Sequence, residues 1–125
     1  MELLKILVVE DEPIIAEILE ETLKDAGFEV VVAATAEAGL AILTDTADVR
    51  GLVADVGLPG AASGWDLARA ARAISPNLAV VYATGHGETE WPSEGVPGSV
   101  LLTKPYAPAQ VVLALAGQLN TDTPN

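Results

Sequence analysis

Solid apolar runs alternate along this chain with longer segments whose apolar residues recur at helical spacing. Leu3 to Val9 is apolar apart from Lys5 and lacks polar alternation, as expected of a central parallel strand covered on both faces. From Ile14 to Ala26 the pattern changes. Ile15, Leu19, Leu23 and Ala26 form one stripe and Glu17, Glu20 and Lys24 lie opposite, which predicts a helix opened by Pro13 and stopped by Gly27. Ile14 and Ile18 fall at the edge of that stripe beside Glu21 and Asp25, and partial exposure is expected of both.

The alternation then repeats. Phe28 to Ala33 reads as a strand, and Thr35 as the cap of a helix from Ala36 to about Leu43. Thr44 to Val49 reads as a loop and Gly51 to Asp55 as a third strand. Ser63 and Asp66 have capping-box spacing at the start of a helix that carries Trp65, Leu67, Ala68, Ala71 and Ile74 on or near one face. Leu78 to Ala83 and Val100 to Leu102 are the fourth and fifth strands, and Pro108 opens a last helix through Leu119 with Val111, Val112, Leu115 and Leu119 as its buried stripe.

One stretch breaks the rhythm. Gly85 to Ser99 contains Gly85, Gly87, Pro92, Gly95, Pro97 and Gly98, so at most one or two helical turns are expected around Glu88 to Trp91, within a segment of low local stability. His86 reads as a solvated loop residue. Strands alternating with helices imply a parallel sheet with helices on both faces, linked by right-handed crossovers. The expectation is an α/β, flavodoxin-like three-layer fold, with a five-stranded sheet in the order 2-1-3-4-5 and about five helices, the fourth short or irregular. One domain is expected over residues 1–119, with a frayed, disordered tail over residues 120–125.

Composition narrows the function. The chain has 125 residues, half of them hydrophobic and 19% charged, which suits one compact domain. The absence of cysteine excludes disulfides and thiolate metal sites. A formal charge of -12 opposes contact with nucleic acid or anionic membranes. With no apolar run near the ~20 residues that span a bilayer and no signal-peptide pattern, a cytoplasmic, monomeric protein is expected.

Candidate chemistry lies at four strand ends. Glu10, Asp11 and Glu12 follow the first strand and Asp55 ends the third; Thr84 follows the fourth and Lys104 the fifth. In the 2-1-3-4-5 order the loops after strands one and three meet at the topological switch point, which brings Glu10 and Asp11 toward Asp55. Carboxylates crowded there repel by ~4 kcal/mol per pair at about 4 Å and an effective dielectric near 20, and so favour a bound cation. Oxygen ligands of this kind suit Mg2+. Singly, each residue has a plainer role: helix-start acids, a turn aspartate, a turn threonine, a surface lysine. Their joint placement favours the functional reading.

These residues resemble a known family, the receiver domains of bacterial two-component response regulators, whose fold is described as CheY-like. ILVVEDEP (6–13), LVADVGLPG (52–60), ATG (83–85) and TKP (103–105) occur in the family's order and near its spacing. The resemblance implies that Asp55 is phosphorylated by a sensor histidine kinase or histidine phosphotransferase, in a Mg2+-dependent reaction. It further implies that Asp11 ligates the metal directly, Glu10 acts through water and the Gly57 backbone carbonyl completes the protein ligands. Thr84 would be the switch hydroxyl, and Lys104, joined to Pro105 by a cis peptide, would bridge the phosphoryl group and the acids. Two features depart from the pattern: Leu101 stands where the family usually has Tyr or Phe, and the loop between Asp55 and Gly64 is one residue longer. With VVYATGHG at the fourth strand, the chain resembles the single-domain subgroup called FAT GUY regulators, although Tyr82 and His86 stand where that name suggests Phe and Tyr. The implied function is a phosphoacceptor, not a turnover enzyme, that signals to an unknown downstream protein or acts as a phosphate sink. The alternatives are a phosphorylation-independent scaffold, a receiver domain excised from a larger protein, and a metal-dependent phosphatase, which would want a second acid where Gly57 stands.

Overall fold

The computed structural model describes residues 3–46, 48–85 and 89–121. Its elements alternate: β1 (Lys5–Val9), α1 (Pro13–Asp25), β2 (Glu29–Ala33), α2 (Ala36–Asp45), β3 (Val49–Ala54), α3 (Gly64–Ile74), β4 (Ala79–Thr84), α4 (Trp91–Glu94), β5 (Val100–Thr103) and α5 (Pro108–Thr121). The five strands form one parallel sheet in the order β2-β1-β3-β4-β5, the expected fold.

Side-chain alternation along the strands divides the core in two. Leu7, Val9, Leu52, Ala54, Val80 and Tyr82 face α2 and α3, joining Leu43, Trp65, Leu67 and Val96. Ile6, Val8, Val53, Val81 and Ala83 face the other way, against Leu19 and Leu23 of α1 and Val111, Leu115 and Leu119 of α5. Both faces of the sheet are covered, which is why the strands read as unbroken apolar runs. Lys5, the polar exception in β1, lies at the strand's start within 3.4 Å of Glu29 and 3.3 Å of Asp48.

The local signals act as their chemistry dictates. Thr35 Oγ1 accepts from the Ala38 amide, and Ser63 and Asp66 form the reciprocal capping box. Gly27 leaves α1 with φ +98°, a conformation an L side chain rarely adopts. Gln118 of α5 does a strand's work on β4: its Nε2 donates to Val80 O and its Oε1 accepts from Val80 N, both at 2.9 Å.

Several expectations are corrected. Ala26 is exposed, because α1 ends at Asp25 and Ala26 is its C-cap rather than part of the buried stripe. Ile74 is also exposed, at the last position of α3 where the helix leaves the sheet, and Val112 is only half-buried. α2 runs to Asp45 and β3 begins at Val49, so the loop between them is shorter than expected. α5 continues through Thr121, which removes Asn120 and Thr121 from the tail; residues 122–125 lie outside the described residues. The single turn of α4 starts at Trp91, where the expected turn was to end, and His86, Gly87 and Glu88 lie outside the described residues. Among the described residues no helix is long and apolar enough to cross a membrane.

Candidate functional site

The parallel pairing of β1 with β3 sets Val9 opposite Ala54, so the next residue on each strand, Glu10 and Asp55, emerges at the same sheet edge. Backbone bonds hold both positions, from Glu10 N to Ala33 O at 3.0 Å and from Asp55 N to Val9 O at 3.1 Å. Glu10 and Asp55 are buried, 3% and 7% exposed, while Asp11 is open to solvent. One carboxylate oxygen from each of the three lies within 4.8 Å of the others. An all-oxygen, multiply charged donor set with one solvent-facing member fits a small hard divalent cation that keeps part of its water.

Lys104 reaches this cluster from β5. Its amide donates to Thr84 O at 2.8 Å, its bond to Pro105 is cis, and its Nζ lies 3.1 Å from Asp55 Oδ2 and 3.4 Å from both Glu10 Oε1 and Glu12 Oε1. Burial alone would lower the Lys104 pKa, but the bond and charge of Asp55, with Glu10 and Glu12 adding to them, raise it above the ordinary lysine value. The ammonium is therefore fixed in its charged form. Glu10 is pushed above the ordinary carboxylate value, first by burial and then by the Asp55 charge, against the lowering effect of the Glu12 amide and Lys104.

The second oxygen of Asp55, Oδ1, accepts from the Gly57 amide at 3.0 Å. The loop after Asp55 closes through a bond from Gly64 N to Val56 O. Gly64 lies so close to the Asp55 carbonyl that a Cβ there would overlap it, so only glycine lets α3 start against the site strand. Thr84, 1% exposed, ends β4 beside Lys104. The structure thus brings Glu10, Asp11, Asp55, Gly57, Thr84 and Lys104 to one edge.

Glu12, one of the strand-end acids read from sequence, is a third carboxylate for Lys104. Tyr106 was not singled out from sequence: next to Pro105, its hydroxyl is buried, which pushes its pKa up to about 12, with the Glu10 charge adding to the effect. Its only sequence signal is adjacency to TKP.

Within the segment expected to be of low local stability, side-chain bonds reach Trp91 to Ser99. Tyr82 OH accepts from Val96 N, and Trp91 Nε1 donates to Ser99 Oγ. Arg69 donates to Glu94 O, and Arg72 donates to both Pro97 O and Leu78 O. Trp91 closes over Gly95, where a Cβ would overlap its indole. Leu101 sits opposite Tyr82 in the sheet, and Tyr82 meets Trp65 edge-on at a centroid distance of 4.6 Å.

Known proteins share this architecture. A response regulator receiver protein from Sinorhizobium medicae WSM419 superposes with a TM-score of 0.94 at 38% identity, covering 98% of each chain. The transcriptional regulatory proteins YrkP of Bacillus subtilis and CusR of Escherichia coli K12 are 31% and 32% identical over 95% and 87% of this chain. The chain spans about half the length of these two relatives, 51% and 48%. The family model for the response regulator receiver domain matches residues 6–116. With that match over nearly all of the folded sheet and its strand-end acids, the chain belongs to the response regulator receiver domain family.

Proposed function

We propose that this protein is a phosphoacceptor of a two-component phosphorelay, modified on Asp55 by a histidine kinase or histidine phosphotransferase. The carrying observation is the placement of Asp55: buried, 3.1 Å from the Lys104 ammonium and within 4.8 Å of oxygens of Glu10 and Asp11. A carboxylate oxygen of Asp55 attacks the phosphorus of phosphohistidine. The new P–O bond forms as the P–N bond breaks, and its electron pair leaves on the imidazole nitrogen. Lys104 offsets charge on the transferring group, and the Thr84 hydroxyl donates to a phosphoryl oxygen. A Mg2+ ion held by Asp11, Asp55 and the Gly57 carbonyl, with Glu10 acting through water, supplies further charge neutralisation when bound. Asp55 is the end point of the transfer, so the chain is a substrate and signal carrier rather than a turnover enzyme.

The donor docks, on this reading, beside α1. Ile14 and Ile18 are 74% and 44% exposed, and a groove of about 430 Å³ lined by Ile15, Ile18, Leu19, Pro105, Tyr106 and Pro108 adjoins Lys104. Apolar side chains next to a charged reaction centre suit a phosphohistidine-bearing helix. The setting is the cytoplasm, and the output is contact with another protein or removal of phosphate from the relay. Leu101 in place of the usual aromatic supports assignment to the FAT GUY subgroup.

Incubation with acetyl phosphate and Mg2+, read by intact mass, tests the reading. One added phosphoryl group that is absent from Asp55→Asn supports it; no adduct, or release of phosphate from many substrates without an adduct, overturns it.

A further inference from the structure

Glu12 occupies the N-cap position of α1, where an acid is ordinarily explained by the helix it opens, yet its side chain accepts no capping bond. Thr35 and Ser63, at the same position of α2 and α3, both do. Glu12 is turned to the site instead. Its amide donates to Glu10 Oε2 at 3.1 Å, and its carboxylate Oε1 lies 3.4 Å from Lys104 Nζ.

The three acids around Lys104 differ in a way that matters to an incoming group. Glu10 and Asp55 are buried and hold the ammonium from within, at 3.4 and 3.1 Å, whereas the Glu12 side chain is 59% exposed and meets it from the solvent side. The buried pair already offsets the lysine charge, so Glu12 adds uncompensated negative charge at the mouth of the site. Screening by salt extends over about 10 Å at 0.1 M, so an anion that comes to the ammonium within that distance is repelled by the carboxylate beside it.

Resting on the phosphoacceptor reading above, we propose that Glu12 is a specificity-determining residue: its carboxylate, held against the outer side of the Lys104 ammonium, slows transfer to Asp55 from small, doubly charged phosphodonors and so selects against them by charge.

Glu12→Gln keeps the length and shape of the side chain and removes its charge. With Mg2+ present, labelling of Asp55 is timed by intact mass near neutral pH with acetyl phosphate, a doubly charged donor, and with phosphoramidate, which carries less net negative charge. The expected result is labelling by acetyl phosphate about two- to fivefold faster than in the parent, the reach of one exposed ion pair, with a smaller gain for phosphoramidate and a gain that shrinks as salt is raised. Unchanged or slower labelling by acetyl phosphate overturns the proposal, as does an equal gain with both donors that salt does not alter, which marks a change of shape rather than of charge. A lower melting temperature with parent-like labelling also overturns it and leaves Glu12 as a helix-start acid. Asp55→Asn run alongside separates the two levels. If the parent is labelled only through Asp55 and Glu12→Gln labels as the parent does, the role of Glu12 fails and the phosphoacceptor reading stands; if the parent is not labelled, or Asp55→Asn is labelled equally, that reading fails and the role of Glu12 falls with it.

Discussion

The hydroxyl of Tyr82 accepts a hydrogen bond from the Val96 amide at 3.2 Å inside the core, which ties the segment after β4 to the strand that ends in Thr84. Tyr82→Phe keeps the ring against Trp65 but leaves a buried N–H unpaired, at a cost of about 1–3 kcal/mol. Faster hydrogen exchange from Trp91 to Ser99, with a lower melting temperature, is the expected outcome; exchange identical to the parent's would show that the bond anchors nothing.

The same anchoring limits where a phosphorylation signal can travel. With Val96, Glu94 and Pro97 bonded to Tyr82, Arg69 and Arg72, hydrogen exchange within Trp91–Ser99 is expected to change little on adding beryllofluoride and Mg2+. Exchange mapping checks this. A large protection gain within Trp91–Ser99 itself would mean that these bonds break and reform during switching.

For the transfer step, Asp55→Asn retains shape and the Gly57 bond but is a poor nucleophile. Phosphorylation by acetyl phosphate is expected to fall below detection by intact mass while circular dichroism is unchanged. An equally labelled variant would move the acceptor to another residue.

Metal binding by the folded state raises stability by mass action, about 2.7 kcal/mol at a hundred times the dissociation constant. Asp11→Ala is expected to lose most of this gain in a thermal melt with and without Mg2+. Equal gains in parent and variant would place the ion elsewhere.

The raised Glu10 pKa has a definite sign. The folded chain binds that proton more tightly than the unfolded chain, so the contribution to stability is present below the unfolded pKa and is lost as pH rises through the folded one. In chelator at neutral pH, Glu10→Gln is therefore expected to melt higher than the parent, with the difference closing as pH falls past the carboxylate range. Melts over a pH series decide it; a variant less stable at neutral pH would mean that the Lys104 and Glu12 contacts outweigh burial.

Docking is separable from chemistry. Ile14→Ser with Ile18→Ser, at two positions exposed on α1, is expected to slow transfer from a phosphohistidine donor about tenfold or more, on the scale of 1.4 kcal/mol of lost contact. Acetyl phosphate labelling should be unaffected. Equal losses in both assays would indicate damage to the site.

The sheet and the strand-end cluster were legible because both follow from local pattern plus topology: apolar runs such as Ile6 to Val9 name the strands, and the strand order brings Glu10 to Asp55. The ties of the Trp91–Ser99 segment were not legible because glycine and proline report local backbone preference, whereas those ties come from Arg69, Arg72 and Tyr82, 14 to 25 positions away in sequence. The pairing of Glu12 with Lys104 was not legible for the same reason, since the two are 92 positions apart. Ala26 was misassigned because spacing alone does not fix where α1 gives way to its cap.

The twin bonds between Gln118 and Val80 set a minimum length for this domain as a transplantable part. β5 pairs with β4 only from Val81 onward, so the peptide groups of Val80 on that side are satisfied by a side chain from the far end of α5. A fusion joint or truncation made before residue 118 strips those partners from an interior strand, although it spares every residue of the strand-end acidic cluster. Such a piece leaves both Val80 peptide groups without these partners, at a cost of about 1–3 kcal/mol for each buried group, so chimeras built from this domain should carry α5 at least through Gln118.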